Sequence, residues 1–345
     1  QIYIMKKDFL KKFTIFCISL IITLTSIEIL LRYFIIKPWN NIATNDPKIF
    51  KNHPTFGWKA KKGSYTFLST DNTHEKFVIN LNENGDRENG NNKNNSLNEI
   101  LIIGGSFTQG WGVNDNETFS YKLQKKYNDF KIYNFGQGGY GSVQSFLLLE
   151  EQIKKIKSPK LVIYGIIQHH EYRNIAHVGW LRMLSQYSSR GHVLTPYGSV
   201  GIDNQLTFNQ PIGYTKFPYR EMSSIITLIE KVYNKLNGRK RVYIEKTKKK
   251  KQQLIVTKKI ILKMKEISEK FGSKFILVNL DWQGSFKEED YEIFLKTNSI
   301  RFLNCSVPIN EKFFILNDYH PNKNAHTYYK ECLVGYIEKE GLLKF

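Results

Sequence analysis

The apolar positions of the chain fall into two regimes. Residues 13–31, FTIFCISLIITLTSIEILL, are almost unbroken apolar sequence, whereas the remainder mixes short apolar runs with amphipathic stretches. A membrane-spanning helix needs about 20 apolar residues, so the first regime predicts a transmembrane anchor over residues 13–36. Glu28 and Arg32 stand four apart near its far end, a spacing at which they can pair on one helix face. In the second regime, residues 40–98 form a lead segment with short strand-like pieces such as 76–81. Residues 82–98, rich in Asn, Gly and charge, predict a loop. A strand–helix rhythm begins at residue 99. It predicts strands at 99–103, 131–135, 160–167, 274–280 and 299–303, and helices at 118–127, 142–156, 254–271 and 324–338. Strands alternating with helices predict an α/β domain over residues 99–345, a parallel sheet covered on both faces. The stretch 175–250 breaks the rhythm and reads as an insertion, with loops over 188–211 and a helix around 221–236. No internal repeat is present.

Composition bounds this picture. Of 345 residues, 41% are hydrophobic and 14% aromatic, enough to bury a core and to exclude a disordered chain. The net charge of +20 suggests an anionic partner. However, Lys, Asn and Ile are abundant throughout, and the densest basic runs, 239–241 and 246–251, fall in the insertion and read as a solvated face. There is no zinc-finger spacing and no RNA-binding aromatic signature, so no nucleic-acid partner is expected. Lys6, Lys7, Lys11 and Lys12 precede the apolar run. Positive-inside bias then puts residues 1–12 in the cytoplasm and the domain on the extracytoplasmic, periplasmic side. The run is long for a signal peptide and no A-x-A-like site follows it, so an uncleaved single-pass anchor is expected. Met5 followed by lysines is a more natural beginning than Gln1. Of the three cysteines, Cys17 lies in the apolar run and only Cys305 and Cys332 could pair in a folded domain. No disulfide framework and no cysteine metal site are implied.

Four segments carry candidate chemistry, each at the carboxyl end of a predicted strand or near the C-terminus. The first strand runs into Gly104-Gly105-Ser106-Phe107-Thr108-Gln109-Gly110. A serine held at a glycine-flanked turn at the mouth of a sheet is a candidate nucleophile. The segment is neither a P-loop nor a G-x-S-x-G elbow. The second strand leads to Asn134-Phe135-Gly136-Gln137-Gly138-Gly139-Tyr140-Gly141, where a free N–H could bind an oxyanion. After the third strand, Gln168-His169-His170-Glu171-Tyr172-Arg173 offers two histidines, with Arg173 close by, that could donate hydrogen bonds to a tetrahedral intermediate or bind an anionic group. Near the C-terminus, Asn317-Asp318-Tyr319-His320-Pro321-Asn322 supplies a carboxylate and an imidazole two residues apart. A hydroxyl needs such a base to lose its proton, and the base needs an orienting carboxylate. The competing reading makes Asp318 or Asn322 a cap for the last helix. A metal on His320, Asp318 and His326 is thinly supported.

Taken in order, these segments resemble the blocks of the SGNH (GDSL-type) hydrolase family. GGSFTQGWGV resembles block I, with Gly105 at the usual Asp position; NFGQGGYG resembles block II; DYHPN resembles block V. The segments 53–63 and 79–89 resemble the lead sequence of membrane-anchored bacterial members. The resemblance implies a three-layer α/β/α, flavodoxin-like sheet. It also implies Ser106 as nucleophile, His320 as general base and Asp318 as its orienting carboxylate. The oxyanion hole would be formed by Ser106 and Gly139. Block III normally contributes an Asn as third donor. Here His169 stands at that place, leaving His169, His170 or neither in the role.

The expected function is a membrane-anchored extracytoplasmic esterase or O-acyltransferase acting on a small-molecule or glycan acyl ester, with cell-envelope carbohydrate as the leading substrate class. It needs no cofactor and no metal. The alternatives are a lipid esterase at the membrane surface and a non-catalytic envelope scaffold of the same fold.

Overall fold

The structure, a computed structural model, describes the chain except residues 1, 41–45, 71–74, 91–97, 158, 187–192, 202, 243–248 and 345. Helix α1 (Ile2–Leu30) runs into a π-helical turn, Leu31–Ile35. Within them Asp8–Ile35 is long and apolar enough to cross a membrane, with mean hydropathy 2.2, and almost none of it is buried. The pairing expected at its far end is present: Arg32 donates to Glu28 at 3.0 Å.

The lead segment folds into two antiparallel hairpins, β1 (Phe50–His53) with β2 (Gly57–Ala60) and β3 (Gly63–Leu68) with β4 (Lys76–Leu81). Alternate residues of β4, Phe77, Ile79 and Leu81, pack with Ile49, Ala60 and Phe67 in a small core. Arg87 bridges this segment to the main sheet. Its buried guanidinium donates to Asp115 at 2.6 Å and to the carbonyls of Gly110 and Val113 at 2.9 and 2.7 Å.

The main domain alternates as expected: β5 (Asn98–Gly104), α2 (Ser106–Gln109), α3 (Phe119–Lys126), β6 (Phe130–Asn134), α4 (Ser142–Gln152), β7 (Pro159–Ile166) and α5 (His169–Asn174). The inserted stretch follows, with α6 (Val178–Gln186), β8 (Thr195–Val200), β9 (Leu206–Ile212) and α7 (Ser224–Val242). The rhythm then resumes with α8 (Lys249–Lys270), β10 (Lys274–Asn279), α9 (Glu292–Thr297), β11 (Arg301–Asn304) and α10 (Lys323–Lys339). The five core strands are parallel in the order β6-β5-β7-β10-β11. Counted along the chain this is 2-1-3-4-5, the flavodoxin-like doubly wound order.

Side-chain alternation splits the sheet between two cores. Leu101, Ile103, Val162, Tyr164 and Leu277 face α4 and α8, and Ile100, Ile102, Leu161, Ile163 and Val278 face α3 and α10. The result is a three-layer α/β/α domain. Cys305 and Cys332 are disulfide-bonded, tying the end of β11 to α10.

One expectation is corrected. Within the stretch 188–211 read as loop, residues from 195 onward form an antiparallel hairpin of β8 and β9 that ends at Ile212. Pro196, Gly198 and Pro211 hide the two-residue alternation, and the register slips between Thr195 and Tyr197, next to Pro196. Residues 188–192 lie outside the described residues.

Candidate active site

The order 2-1-3 sets the loops after β5, β6 and β7 side by side at the carboxyl edge of the sheet, where such folds hold their ligands. β5 ends at Gly104, Gly105 is extended (φ −91°), and Ser106 opens α2. The tightness of this turn explains Gly105. A Cβ there would stand 2.8 Å from His170 Nε2 and 3.1 Å from the Tyr140 carbonyl oxygen. The backbone angles suit any residue; the space suits only glycine.

Across the cleft, residues 315–320 fold into a loop with Asn317 and Tyr319 at φ 67° and 59°. Asn readily adopts this left-handed conformation, whereas Tyr does so with strain. The loop is pinned to the lead segment, Asn317 donating to the Thr70 carbonyl and Thr70 to that of Leu316. It delivers the imidazole to the serine: His320 Nε2 lies 2.8 Å from Ser106 Oγ, and His320 Nδ1 lies 2.7 Å from Asp318 Oδ1. Two segments 214 residues apart thus meet in one hydrogen-bonded chain. The other carboxylate oxygen of Asp318 accepts from Trp111 Nε1 at 3.0 Å, and the Phe107 ring lies edge-on to His320. Asn322, not Asp318, caps α10 by accepting from the Asn324 and Ala325 amides.

The block II loop stands on the other side of the serine. Asn134 ties it to the nucleophile turn, donating to the Thr108 carbonyl and accepting from Gly136 N–H. Gly139 has φ 81° and lies against Trp58 and Trp180, so a side chain would be strained there as well as crowded. Trp58 Nε1 fixes the Gly138 carbonyl at 3.0 Å, and Arg173 Nη1 fixes that of Tyr140 at 2.9 Å.

The two histidines part company. His170 is fully buried, with Nδ1 2.8 Å from Tyr164 Oη. The tyrosine hydroxyl itself donates to Ser142, so Nδ1 carries the proton given to Tyr164, and the Nε2 lone pair faces Gly105 without a partner. Burial and the nearby Arg173 hold His170 well below the ordinary histidine range, so it is neutral. It stands behind the nucleophile turn and outside the cleft. His169 lines the cleft at its exposed rim, with a lowered pKa caused by desolvation and by the charges of Arg173 and His320.

Ser106, Asp318, His320, Gly138, Gly139 and His169 all border one cavity of about 750 Å³. Its walls carry Trp111, Trp180, Trp282 and Tyr319, and Arg173 reaches it from behind. The Arg173 guanidinium is buried, stacks 4.4 Å over Trp180, and has no carboxylate ion pair among the described residues. Among the described residues no group of His, Cys, Asp or Glu could hold a metal ion. The sequence reading brought Ser106, Gly139, His169, Asp318 and His320 to one place. It missed Trp111 and Trp58 as donors, and it named Arg173 only as a neighbour of the histidines. A tryptophan five residues after the serine was the available signal.

No family model matches the sequence, and no curated protein matches it. Among solved structures the matches are GDSL-type lipolytic proteins and esterases. TesA is 10% identical over 70% of this chain and 98% of its own, with a TM-score of 0.42. A lipolytic protein of the G-D-S-L family from Veillonella parvula is 10% identical over 70% and 99%, with a TM-score of 0.39. An acetylxylan esterase from Geobacillus stearothermophilus, solved as a catalytic mutant, is 9% identical over 71% and 96%, with a TM-score of 0.37. At such distances the chemistry of this chain has to be read from its own residues.

Proposed function

We propose that the chain is a serine esterase or O-acyltransferase of the SGNH (GDSL-type) kind, anchored in a membrane by α1 with its domain on the extracytoplasmic side. The observation that carries the chemistry is the Ser106–His320–Asp318 hydrogen-bonded chain at the mouth of an open cleft. Ser106 Oγ attacks the ester carbonyl carbon while His320 Nε2 takes the hydroxyl proton. The tetrahedral oxyanion faces the backbone N–H groups of Ser106 and Gly139, with His169 at the rim as third donor. The positive charge of Arg173, one layer behind, stabilises the same developing negative charge. Collapse breaks the bond to the leaving alkoxide, which takes the proton from His320. Water or an acceptor hydroxyl then attacks the acyl-serine, gives its proton to His320, and Ser106 regains a proton as the acyl group leaves. Asp318, held by Trp111, keeps the imidazole in the tautomer that presents a bare Nε2 to the serine.

Cell-envelope carbohydrate is the favoured acyl carrier, because the tryptophan walls of the cleft offer flat apolar faces to sugar rings. The lysines in α1 that precede its apolar run and the Cys305–Cys332 bond, a linkage of oxidising compartments, support the extracytoplasmic side. Hydrolysis of p-nitrophenyl acetate by the detergent-solubilised chain, abolished in His320→Ala, tests the chemistry. No turnover by the native chain, or turnover untouched by that change, refutes it. Release of acetate from acetylated oligosaccharides in preference to fatty acid from a lysophospholipid tests the substrate class, and the reverse preference overturns the carbohydrate assignment.

A further inference from the structure

Helix α7 is amphipathic in the wrong sense for a helix in water. Its buried face is polar: Ser224, Thr227 and Glu230 are fully buried and Asn234 is 3% exposed. Its outward face is apolar: Ile229, Val232, Tyr233 and Leu236, spaced for one helix side, are 44–51% exposed. Three of these polar side chains are engaged. Thr227 accepts from the Trp39 amide, Glu230 from the Phe217 amide at 2.7 Å, and Asn234 exchanges two bonds with the Thr215 backbone at 2.9 Å. Among the described residues none covers the outward face, whose four apolar side chains stay 44–51% exposed.

The position of this helix says what covers it. Glu28, in the last turn of α1, accepts from the Ser224 and Ile225 amides at 2.7 and 3.0 Å and from the Ser223 hydroxyl. Arg32 donates to the Met222 carbonyl at 2.8 Å. The first turn of α7 is therefore fastened at the level where α1 leaves its apolar span. Exposed Met222 beside it, and Tyr33, Phe34 and Ile35 on the π-helical turn after α1, carry apolar surface across the junction.

We infer that α7 lies in the headgroup region of the bilayer with its Ile229–Leu236 face against lipid, so that the chain has two membrane contacts, a span and an interfacial helix. The occupant is a phospholipid surface. Two contacts fix the rotation of the domain about α1, which a single flexible span does not, and so give the cleft a set orientation to the membrane. This inference rests on α1 being membrane-embedded, and the test separates the two.

The full chain in a Cys17→Ser background is labelled with an environment-sensitive fluorophore at Ile229→Cys or, separately, at Ile21→Cys. It is then reconstituted in vesicles of phosphatidylcholine and phosphatidylglycerol. The expected result is a blue-shifted emission at both positions, loss of fluorescence with nitroxide-bearing lipid, and no loss with aqueous iodide. Lipid quenching at position 21 with iodide quenching at position 229 overturns the inference and leaves the anchor standing. Protection of position 229 from both quenchers means that a second copy or another protein covers it, and also overturns it. Iodide quenching at both positions removes the anchor as well. Turnover of p-nitrophenyl acetate by both labelled chains confirms their folding.

Discussion

The space before Ser106 makes a quantitative prediction. Gly105→Ala adds one methyl group at a position where the backbone is ordinary and the surroundings are full. The new carbon would stand 2.8 Å from His170 Nε2, well inside van der Waals contact. The ring cannot rotate away without losing its bond to Tyr164 in a fully buried site. Overpacking of this kind costs about 1–3 kcal/mol. At about 2–4 °C per kcal/mol for a domain of this size, Tm should fall by several degrees. Because the strain sits next to Ser106, displacement of its hydroxyl by even a fraction of an ångström should lower kcat about tenfold or more. In a His170→Ala background the crowding ring is gone, while Tyr164 keeps its bond to Ser142. The Gly105→Ala change should then cost much less, a coupling of about 1–2 kcal/mol. Thermal melts and p-nitrophenyl acetate kinetics on the four chains of this cycle provide the check. Additive effects would mean that residues 105 and 170 do not share the space, and that the glycine has another cause.

Trp111→Phe removes the indole donor to Asp318 and keeps an aromatic ring between Phe67 and Phe77; it should lower kcat about tenfold with KM and Tm little changed. Asp86 is buried with one carboxylate oxygen unpaired, and burial pushes its pKa up to about 6. The raised value means that folding favours the protonated form. Stability is intact below about pH 4 and is lost as pH rises through 6, by about 3 kcal/mol at pH 7. Asp86→Asn should therefore raise Tm at pH 7 and leave it unchanged at pH 4, as differential scanning at the two pH values will show. Cys332→Ser opens a loop spanning 27 residues and should cost about 3–4 kcal/mol, read as a lowered denaturation midpoint that reductant no longer alters.

Much of the fold was legible because its strands are short apolar runs and its helices carry clear apolar faces. β5, β7 and α8 were visible in this way, and so was the parallel sheet that they build. The β8–β9 hairpin was not. Its strands carry two prolines and a glycine, and they are held by pairing with each other rather than by any pattern of their own. The meeting of Ser106 with the Asp318–His320 pair was legible because they stand at turns of unusual composition. What holds them in place was hidden, because Trp111, Trp58, Arg87 and Arg173 act across the sequence through hydrogen bonds that leave no local pattern. The inverted face of α7 was equally hidden. Its pattern reads as an ordinary amphipathic helix, and only packing reveals which side is inside.

The triad is tested most directly by the reaction of the full chain with a fluorophosphonate probe, followed by mass spectrometry of the modified peptide. The account predicts a single phosphonyl adduct on Ser106, absent in Ser106→Ala and slowed by about 10³-fold or more in His320→Ala. An inert native chain, or labelling that persists in Ser106→Ala, would contradict it.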